Sequence, residues 1–352
     1  MTPDDLEIFI ITYNRYNDLK KTLETITAEN SPVRHCDIRI LDNNSNDGTA
    51  ELCRNFADRF SNVTHTKNHR NIGLSGNICR AMELADKKYF WILCDNDKIE
   101  FDAWNEVEQA MTDDYDLILA SRFYFPEKYD CFEALVLNQL TFLPAGIYKT
   151  KFMTDDVMCY AMLDTYTILP HLALGCSIIN HTGKIFLPSK SIVHIIPNVI
   201  DAPKGKYTFD RLKPTEHLLK NKNAFSINFY NGIAHSFDAC ENKKISKKAI
   251  DYFFNSDCIN GYGPFLSKRG IVENLLFRKT SFSTFFSFFC CLSFLKKLSF
   301  MIEIIIRFSI GNLIYFYKNE KGINLEILNS IKIRIFSKAW LSSNFWRKQG
   351  KK

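Results

Sequence analysis

The sequence lacks the features that mark several common classes of protein. Its 11 cysteines are scattered, with no C-x-x-C pair and one adjacent pair, Cys290 and Cys291. An odd number of unclustered cysteines is typical of a reduced, cytosolic protein and argues against a disulfide framework or a zinc cluster. There is no uninterrupted run of 18 apolar residues, which argues against a membrane-spanning helix. The acidic start of the chain also predicts no secretory signal peptide.

Two glycine-rich phosphate-binding motifs are absent as well. No G-x-G-x-x-G follows the first predicted strand, which disfavours a dinucleotide-binding fold of that kind. No G-x-x-x-x-G-K-[ST] is present, which argues against a P-loop NTPase. If the protein binds a nucleotide, it does so with other residues.

The composition is that of an ordinary globular protein, but the charge is unevenly distributed. Of the 352 residues, 46% are hydrophobic and 24% are charged, which excludes a disordered or low-complexity chain. Residues 261–352 carry 16 Lys and Arg against 4 Asp and Glu, a net charge of +12, whereas the rest of the chain carries 29 against 35. This basic region is also rich in Phe, and we interpret it as a surface for an anionic partner, a membrane rather than a nucleic acid.

The first 120 residues alternate between strand and helix patterns, and the second half is mixed. The predicted strands are residues 6–12, 36–41, 62–66, 88–94, 115–120, 184–187 and 191–196. The predicted helices are residues 18–28, 49–60, 74–85, 102–111, 151–163, 169–180 and 215–256. Repeated βα units predict an α/β fold with a doubly wound, mostly parallel sheet. Ligands of such sheets bind outside the carboxyl ends of the strands, so the segments after each strand form the candidate site.

Two of these segments carry acids with a possible chemical role. Asp95 and Asp97 follow a buried strand, and at this spacing two carboxylates can hold a hard divalent cation beside phosphate oxygens. An isolated D-x-D is more often a solvated turn or a helix cap, but its place after a buried strand favours the metal site. Asp42 can accept from a nucleobase or a ribose, although a glycine-containing Asx turn has the same composition. Arg15 and Arg70 can pair with phosphates or be merely solvated.

Four segments together resemble the family 2 glycosyltransferases, which have the GT-A fold. They are I-T-Y-N-R (11–15), L-D-N-N-S-N-D-G-T (41–49), N-H-R-N-I-G-L-S-G-N (68–77) and Y-F-W-I-L-C-D-N-D (89–97), and their order and spacing match too. The resemblance covers roughly residues 6–196 and is strongest in the nucleotide half. It implies a nucleotide-diphospho-sugar donor, transfer to a hydroxyl acceptor with inversion, and Mg²⁺ or Mn²⁺ held by the D-x-D.

The resemblance also assigns roles to residues. Those expected to bind the donor are Thr12, Tyr13, Asn14, Arg15, Asp42, Asn43, Arg70, Asp95 and Asn96. Asp95 and Asp97 are expected to hold the metal, and His194 matches a place where relatives carry a histidine near the metal or diphosphate, with a structural role as the alternative. Asn43 stands where many relatives have a second acid, and its amide can still bind a uracil or thymine edge.

The general base is less well defined, because an inverting transfer needs a base within reach of the acceptor hydroxyl. Relatives often carry an acidic pair before a glycine that opens a strand, which is Gly183 here, but that position falls near His171. We expect Asp164 to be the base, with His171 as the alternative; a buried helix histidine explains His171 equally well.

We divide the chain into three parts. Residues 1–200 are expected to be the GT-A nucleotide-sugar-binding and catalytic domain, residues 201–260 a linker and helical extension, and residues 261–352 a basic, Phe-rich helical region. Cationic residues flank apolar ones within residues 281–317, which suits helices lying in the plane of a membrane. A helical subdomain packed on the core is the alternative.

The sequence thus predicts a metal-dependent inverting glycosyltransferase of bacterial polysaccharide, lipopolysaccharide or capsule biosynthesis. We expect it to act on a glycan or lipid-linked acceptor, in the cytoplasm and peripheral to the inner face of the cell membrane, with no nucleic-acid partner. A sugar-phosphate nucleotidyltransferase, which would release pyrophosphate, is one alternative. A catalytically degenerate protein that binds a glycan or another protein is the other, and the intact D-x-D disfavours it.

Overall fold

The fold is seen in a computed structural model of the chain. The structure describes residues 5–122, 132–163, 165, 169–181 and 183–194, and in the C-terminal region residues 289, 294, 297–302 and 304–306. The chain forms two units, Met1–Lys297 and Leu298–Lys352. The helix predicted at 215–256 lies outside the described residues.

Strands and helices alternate along the first unit. The strands are β1 (Leu6–Thr12), β2 (Asp37–Asp42), β3 (Val63–Lys67), β4 (Tyr89–Cys94), β5 (Lys98–Ile99), β6 (Leu117–Leu119), β7 (Gly146–Lys149), β8 (Ile185–Phe186) and β9 (Val193–His194). The helices are α1 (Tyr16–Ile26), α2 (Thr49–Arg59), α3 (Gly73–Leu84), α4 (Trp104–Thr112), α5 (Phe132–Leu140), α6 (Asp155–Leu163) and α7 (Leu172–Asn180). Up to residue 120, the bounds of the predicted elements agree with these to within two residues.

The main sheet has seven strands in the order β3-β2-β1-β4-β7-β6-β8. Strands β1 to β4 are parallel to one another, and β7 is antiparallel to both of its neighbours. Since β4 and β6 are both antiparallel to β7, they run in the same direction as each other. The carboxyl ends of β1, β2, β3, β4 and β6 therefore share one edge. The prediction of a GT-A-like, doubly wound, mostly parallel sheet is confirmed.

The central strands are mostly apolar because helices cover both faces of the sheet. All seven residues of β1 are buried, and so are five of the six residues of β4. Helix α1 packs on the sheet through a stripe at helical spacing, Leu19, Leu23 and Ile26, each with no exposed surface. Full burial of such side chains contributes roughly 1.5–3 kcal/mol each, so the core holds the strand ends, and the loops after them, in fixed positions.

Three elements were not predicted. Strand β7 enters the middle of the sheet, helix α5 precedes it, and the two-residue strand β5 pairs with β9 in a small separate sheet. The helices predicted at 151–163 and 169–180 begin later, at Asp155 and Leu172. At the first of these, the hydroxyl of Thr154 accepts from the backbone N–H of Val157 at 3.3 Å, as a helix N-cap does.

In the C-terminal region, the described residues 297–302 and 304–306 are helical. Within the part of the chain that the structure describes, no helix combines the length and the apolar character needed to cross a membrane. Leu298, Met301, Ile302 and Ile305 are 45–59% exposed, with the spacing of one helix face.

Candidate active site

Strand register brings the predicted site residues to one edge of the sheet. Thr12, the last residue of β1, is paired with Asp42, the last residue of β2. On the other side, Ile11 is paired with Cys94, so Asp95 begins one step beyond β4 and beside Thr12. The candidate site is thus anchored on the ends of three neighbouring parallel strands, as the sequence predicted.

Asp95 is buried and has hydrogen bonds to both carboxylate oxygens. The hydroxyl of Thr12 donates to Oδ2 at 2.7 Å, and Nη1 of Arg15 donates to Oδ1 at 2.7 Å. The hydroxyl of Thr22, in α1, donates to the backbone carbonyl of Asp95 at 3.1 Å and so holds the loop after β4 against that helix. Burial raises the pKa of Asp95 above its usual range, while the Arg15 charge and the Thr12 hydrogen bond oppose that rise.

Asp97 is in a different situation from its neighbour. Its Oδ2 is shielded from solvent and has no hydrogen-bond partner. Desolvation, followed by the charge of Asp95, raises the pKa of Asp97 to about 7. A buried carboxylate oxygen without a partner is costly, and a bound cation would compensate for that cost.

The described residues fit a cation that is shared with a ligand, rather than one caged by the protein. Among them, no group of three His, Cys, Asp or Glu side chains comes together. Mg²⁺ in phosphate-handling sites is typically held by one or two carboxylates plus phosphate oxygens and waters. One unpartnered oxygen on Asp97, beside the occupied carboxylate of Asp95, suits that arrangement.

His194 is near the acidic pair along the small sheet, but its side chain is engaged elsewhere. Pairing of β5 with β9 sets His194 opposite Lys98, the residue after Asp97. Its Nε2 lies 3.0 Å from Oε2 of Glu100, with which it forms an ion pair when protonated. The structure brings the histidine close to the aspartates in register without bringing it into a cluster with them.

Asp42 keeps one free oxygen in a buried position. Its Oδ1 accepts from the backbone N–H of Ser45 at 2.8 Å, and its Oδ2 lies 3.9 Å from Nε2 of His65 and has no hydrogen-bond partner. Burial acts to raise the pKa of Asp42, but His65 and Ser45 outweigh it and hold the pKa below its usual range. The carboxylate is therefore ionised at neutral pH, and its buried Oδ2 makes no hydrogen bond within the protein.

Asn43 uses its whole side-chain amide inside the protein. Its Nδ2 donates to Oδ1 of Asn71 at 2.8 Å and to the carbonyl of Gly73 at 3.1 Å. Its Oδ1 accepts from the backbone N–H of Ile72 at 2.9 Å and from Nδ2 of Asn68 at 3.0 Å. These four hydrogen bonds hold the loop between β3 and α3, and the nucleobase contact that the resemblance implies for Asn43 stays a prediction.

The loops after β1 and β2 are fastened to each other. Asn14 adopts a left-handed backbone conformation with φ of 50°, its N–H donates to Oγ of Ser45, and its Oδ1 accepts from the N–H of Asn46, both at 2.8 Å. Tyr13 is half-buried in this turn. These bonds give the edge a defined shape before any ligand arrives.

Asn96 and Arg70, the other residues expected to bind the donor, differ in their contacts with the acidic pair. Asn96 lies with the acidic pair, since its Oδ1 accepts from Nη1 of Arg15 at 2.6 Å. Arg70 is exposed in the loop after β3, and the structure gives it no contact with the acidic pair.

The two candidates for the general base differ in what the structure describes. Asp164 lies outside the described residues. His171 precedes α7, has no exposed surface, and its Nε2 lies 2.6 Å from the carbonyl of Leu140. Burial lowers the pKa of His171 to about 4, so its ring is neutral at physiological pH. This environment supports the buried-helix interpretation of His171.

Sequence reasoning missed His65, Thr22 and the amides around Asn43. His65 is at the inward position of the short alternating strand V-T-H-T-K, and period-two alternation is a signal that could have placed it beside β2. The hydrogen bonds of the Asn43 side-chain amide carry no such signal, because they join residues 25 to 30 positions apart.

The structure combines a mostly parallel sheet with an acidic pair after β4 and an acid at the end of β2, which is the arrangement that the resemblance to family 2 glycosyltransferases implies. Comparison with known proteins agrees, because residues 7–156 match the family described as "Glycosyl transferase family 2". The resemblance to family 2 glycosyltransferases that the sequence indicates is thus confirmed for residues 7–156, which are less than half of the chain.

Individual relatives are more distant. The chain is 27% identical to abequosyltransferase RfbV of Salmonella typhimurium over 114 residues. This aligned stretch covers 32% of this chain and 34% of that protein. The match thus spans about a third of the length of this curated relative. The solved structure of S. aureus TarS residues 1–349 in complex with UDP has a TM-score of 0.53 and 11% identity, covering 91% of this chain and 94% of that one. At this identity the likeness concerns the fold alone.

Proposed function

We propose that the protein transfers a sugar from a nucleotide-diphospho-sugar to a hydroxyl acceptor, with inversion at the anomeric carbon. The observation that carries the proposal is the buried, unpartnered Oδ2 of Asp97, which lies two residues from the fully hydrogen-bonded Asp95 at the carboxyl edge of the sheet. The family match and a relative named an abequosyltransferase support sugar transfer. We extend the proposal to bacterial surface polysaccharide, including lipopolysaccharide or capsule, as the product.

The donor's nucleoside would lie across the ends of β1 and β2. The ionised Asp42 has a free oxygen to accept from a base or ribose donor. The turn of Thr12, Tyr13 and Asn14 would shape the other side of this pocket, because its bonds to the β2 loop set its position without a ligand. A UDP complex of a protein with the same fold supports a uridine nucleotide as the first donor to test.

Asp97, with Asp95, would hold Mg²⁺ or Mn²⁺ at the diphosphate. A divalent cation there supplies positive charge that stabilises the leaving nucleoside diphosphate. Thr12 keeps Asp95 oriented for this task through the 2.7 Å hydrogen bond to Oδ2. Asp97 brings the second carboxylate with an oxygen that no protein group occupies.

The acceptor hydroxyl needs a base on the opposite face of the sugar. The base takes the hydroxyl proton while the acceptor oxygen bonds to the anomeric carbon, and the bond from that carbon to the diphosphate oxygen breaks. We propose Asp164 as this base, with His171 as the alternative. The complete burial of His171 and its contact with Leu140 weigh against it.

A thermal-shift panel tests the donor proposal. Sugar nucleotides of uridine, guanosine and thymidine are added with Mn²⁺ or with EDTA, because a ligand that binds the folded state raises the melting temperature. We expect at least one donor to stabilise the wild type with Mn²⁺, and Asp97→Ala to lose that response. If no donor stabilises the wild type, or the variant responds equally, the site assignment fails.

We also propose that the second unit contacts an anionic membrane surface, which would bring the enzyme to a lipid-linked acceptor at the inner face of the cell membrane. Leu298, Met301, Ile302 and Ile305 form an exposed apolar helix face, and lysines precede it in the sequence. Apolar side chains inserted at the interface and cations near anionic headgroups both favour binding.

Flotation with vesicles tests this contact. The full chain is compared with Leu298→Gln/Ile302→Gln/Ile305→Gln on vesicles with and without phosphatidylglycerol, and Ile72→Gln/Met162→Gln removes exposed apolar side chains of the first unit as a control. We expect the wild type and the control to float with anionic vesicles and the triple variant to stay behind. Equal flotation of all three proteins would refute the assigned surface.

A further inference from the structure

Arg15 occupies the carboxylate that the D-x-D would offer to a cation. Its Nη1 lies 2.7 Å from Oδ1 of Asp95 and 2.6 Å from Oδ1 of Asn96, while Thr12 occupies the other oxygen of Asp95. The side chain of Asp95 is 4% exposed, whereas that of Arg15 is 17% exposed. Asp95 is thus closed off by a residue that itself reaches the surface.

The two aspartates therefore differ in what they can give to a cation in the ligand-free protein. Both oxygens of Asp95 already accept hydrogen bonds, and Oδ2 of Asp97 accepts none. A divalent cation that takes Oδ1 of Asp95 must displace the guanidinium, because two cationic groups cannot share one buried oxygen without strong repulsion. The guanidinium must then find another anionic partner or remain in solvent.

We propose that Arg15 couples cation binding to diphosphate binding. In the ligand-free protein it neutralises Asp95, and when a nucleoside diphosphate arrives it transfers to the phosphate oxygens and leaves Asp95 open to the cation. This inference rests on the proposed function, since it needs a diphosphate at this edge. Guanidinium binds phosphate oxygens in the same forked geometry in which it binds carboxylates.

The position of Arg15 suits this exchange. It is the residue directly before α1, so its backbone is fixed by the start of a helix that packs on the core. Its side chain alone would change partners, and Asn96, which accepts from the same Nη1, would be released with Asp95. The coupling is reciprocal by thermodynamic necessity: the cation must tighten diphosphate binding by the same factor.

Titration of Mn²⁺ followed by electron paramagnetic resonance measures the coupling without any turnover. The wild type, Arg15→Met, Arg15→Lys and Asp97→Asn are titrated alone and then with UDP, GDP or dTDP. Arg54→Met, which removes an exposed arginine of α2, is the matched control. Melting temperatures confirm that each variant is folded.

We expect Arg15→Met to bind Mn²⁺ alone about tenfold more tightly than the wild type, because Asp95 is freed. The nucleoside diphosphate that tightens Mn²⁺ binding most in the wild type should tighten it several-fold less in Arg15→Met, with Arg15→Lys between them. The control should match the wild type. If Arg15→Met does not fold, the intermediate behaviour of Arg15→Lys alone decides the question.

The outcomes separate this inference from the proposed function. If the wild type and both Arg15 variants bind Mn²⁺ equally and respond equally to the nucleotide, while Asp97→Asn loses Mn²⁺, the coupling is refuted and the proposed site stands. If neither the wild type nor Arg15→Met binds Mn²⁺ with or without nucleotide, both ideas fail.

Discussion

The hydroxyl of Thr12 donates to Oδ2 of Asp95 across 2.7 Å and joins the end of β1 to the end of β4. The two residues are 83 positions apart in the chain, and both are buried. A hydrogen bond to a buried charged group is worth more than a neutral one. This contact therefore both stabilises the edge of the sheet and holds one half of the acidic pair in place.

Replacing Thr12 tests the value of that contact. Thr12→Val keeps the shape of the side chain but removes the donor, and we expect the free energy of unfolding to fall by about 1.5–3 kcal/mol. Thr12→Ser retains the hydroxyl and should lose clearly less. Urea denaturation of the two variants at pH 7 makes the comparison, and equal stability of the Val and Ser variants would contradict the assigned role.

A second prediction concerns Asn43. In Asn43→Asp a carboxylate replaces the amide nitrogen that donates to Asn71 and Gly73, so two acceptors lose their donor and a charge is buried. We expect a loss of about 1–3 kcal/mol for each acceptor left without its donor, and faster hydrogen exchange in the loop before α3. Asn46→Asp adds the same charge at an exposed position of the loop between β2 and α2, in which Asn43 also lies. It should change neither the free energy of unfolding nor the hydrogen exchange before α3 by much. If Asn43→Asp is as stable as the wild type but prefers a different nucleobase, the role of Asn43 as a loop anchor is contradicted and a nucleobase contact is favoured.

The raised pKa of Asp97 predicts a pH dependence of stability in the absence of metal. Its folded pKa of about 7 exceeds the unfolded value of 3.8. The folded state therefore binds the proton more strongly, and stability is lost as pH rises through this window, by up to about 1.4 kcal/mol per pH unit. Asp97→Asn should remove this loss.

Urea denaturation in EDTA at pH 5 and pH 8 checks the prediction. The gain in stability of Asp97→Asn over the wild type should be larger at pH 8 than at pH 5. Asp58→Asn, at an exposed position of α2, controls for the change in net charge. A gain that is the same at both pH values would mean that Asp97 is not desolvated as described.

The lowered pKa of His171 predicts the opposite pH dependence, a loss of stability as the pH falls. Its folded pKa of about 4 lies below the ordinary 6.5, because burial disfavours the charged ring. Stability from this group is full above pH 6.5 and is lost as pH falls through 4. His171→Gln keeps a donor for the carbonyl of Leu140 but does not titrate, so it should lose less stability between pH 6.5 and 4.5 than the wild type. The exposed His35→Gln should follow the wild type, and parallel curves for all three proteins would contradict the burial.

The parallel half of the fold could be predicted from the sequence because its strands are buried on both faces. Strand β4 is therefore a continuous apolar run, β1 is one apart from Glu7 and Thr12, and α1 shows its apolar stripe at helical spacing. Strand β7 carries no such signal. It is four residues long, ends in Lys149, and is buried only because β4 and β6 flank it and Asp114 and Asp116 pair with that lysine.

In the candidate site, too, some features could be predicted from the sequence and others could not. Asp42, Asp95 and Asp97 could be predicted because they follow strands, and strand ends meet at one edge. That Asp95 is occupied by Arg15 and Thr12 while Asp97 keeps a free oxygen depends on side chains some 80 positions apart, which no local pattern encodes. Asn43 likewise fits a ligand contact by its motif and a loop anchor by its hydrogen bonds.

The most direct test of the central claim is an anomalous-difference map from a crystal of the protein grown with Mn²⁺ and UDP. The account predicts a manganese peak within bonding distance of Oδ2 of Asp97, with diphosphate oxygens on the other side of the ion. A map in which the nucleotide is bound at this edge and no manganese lies at Asp97, or in which manganese binds elsewhere, would contradict it.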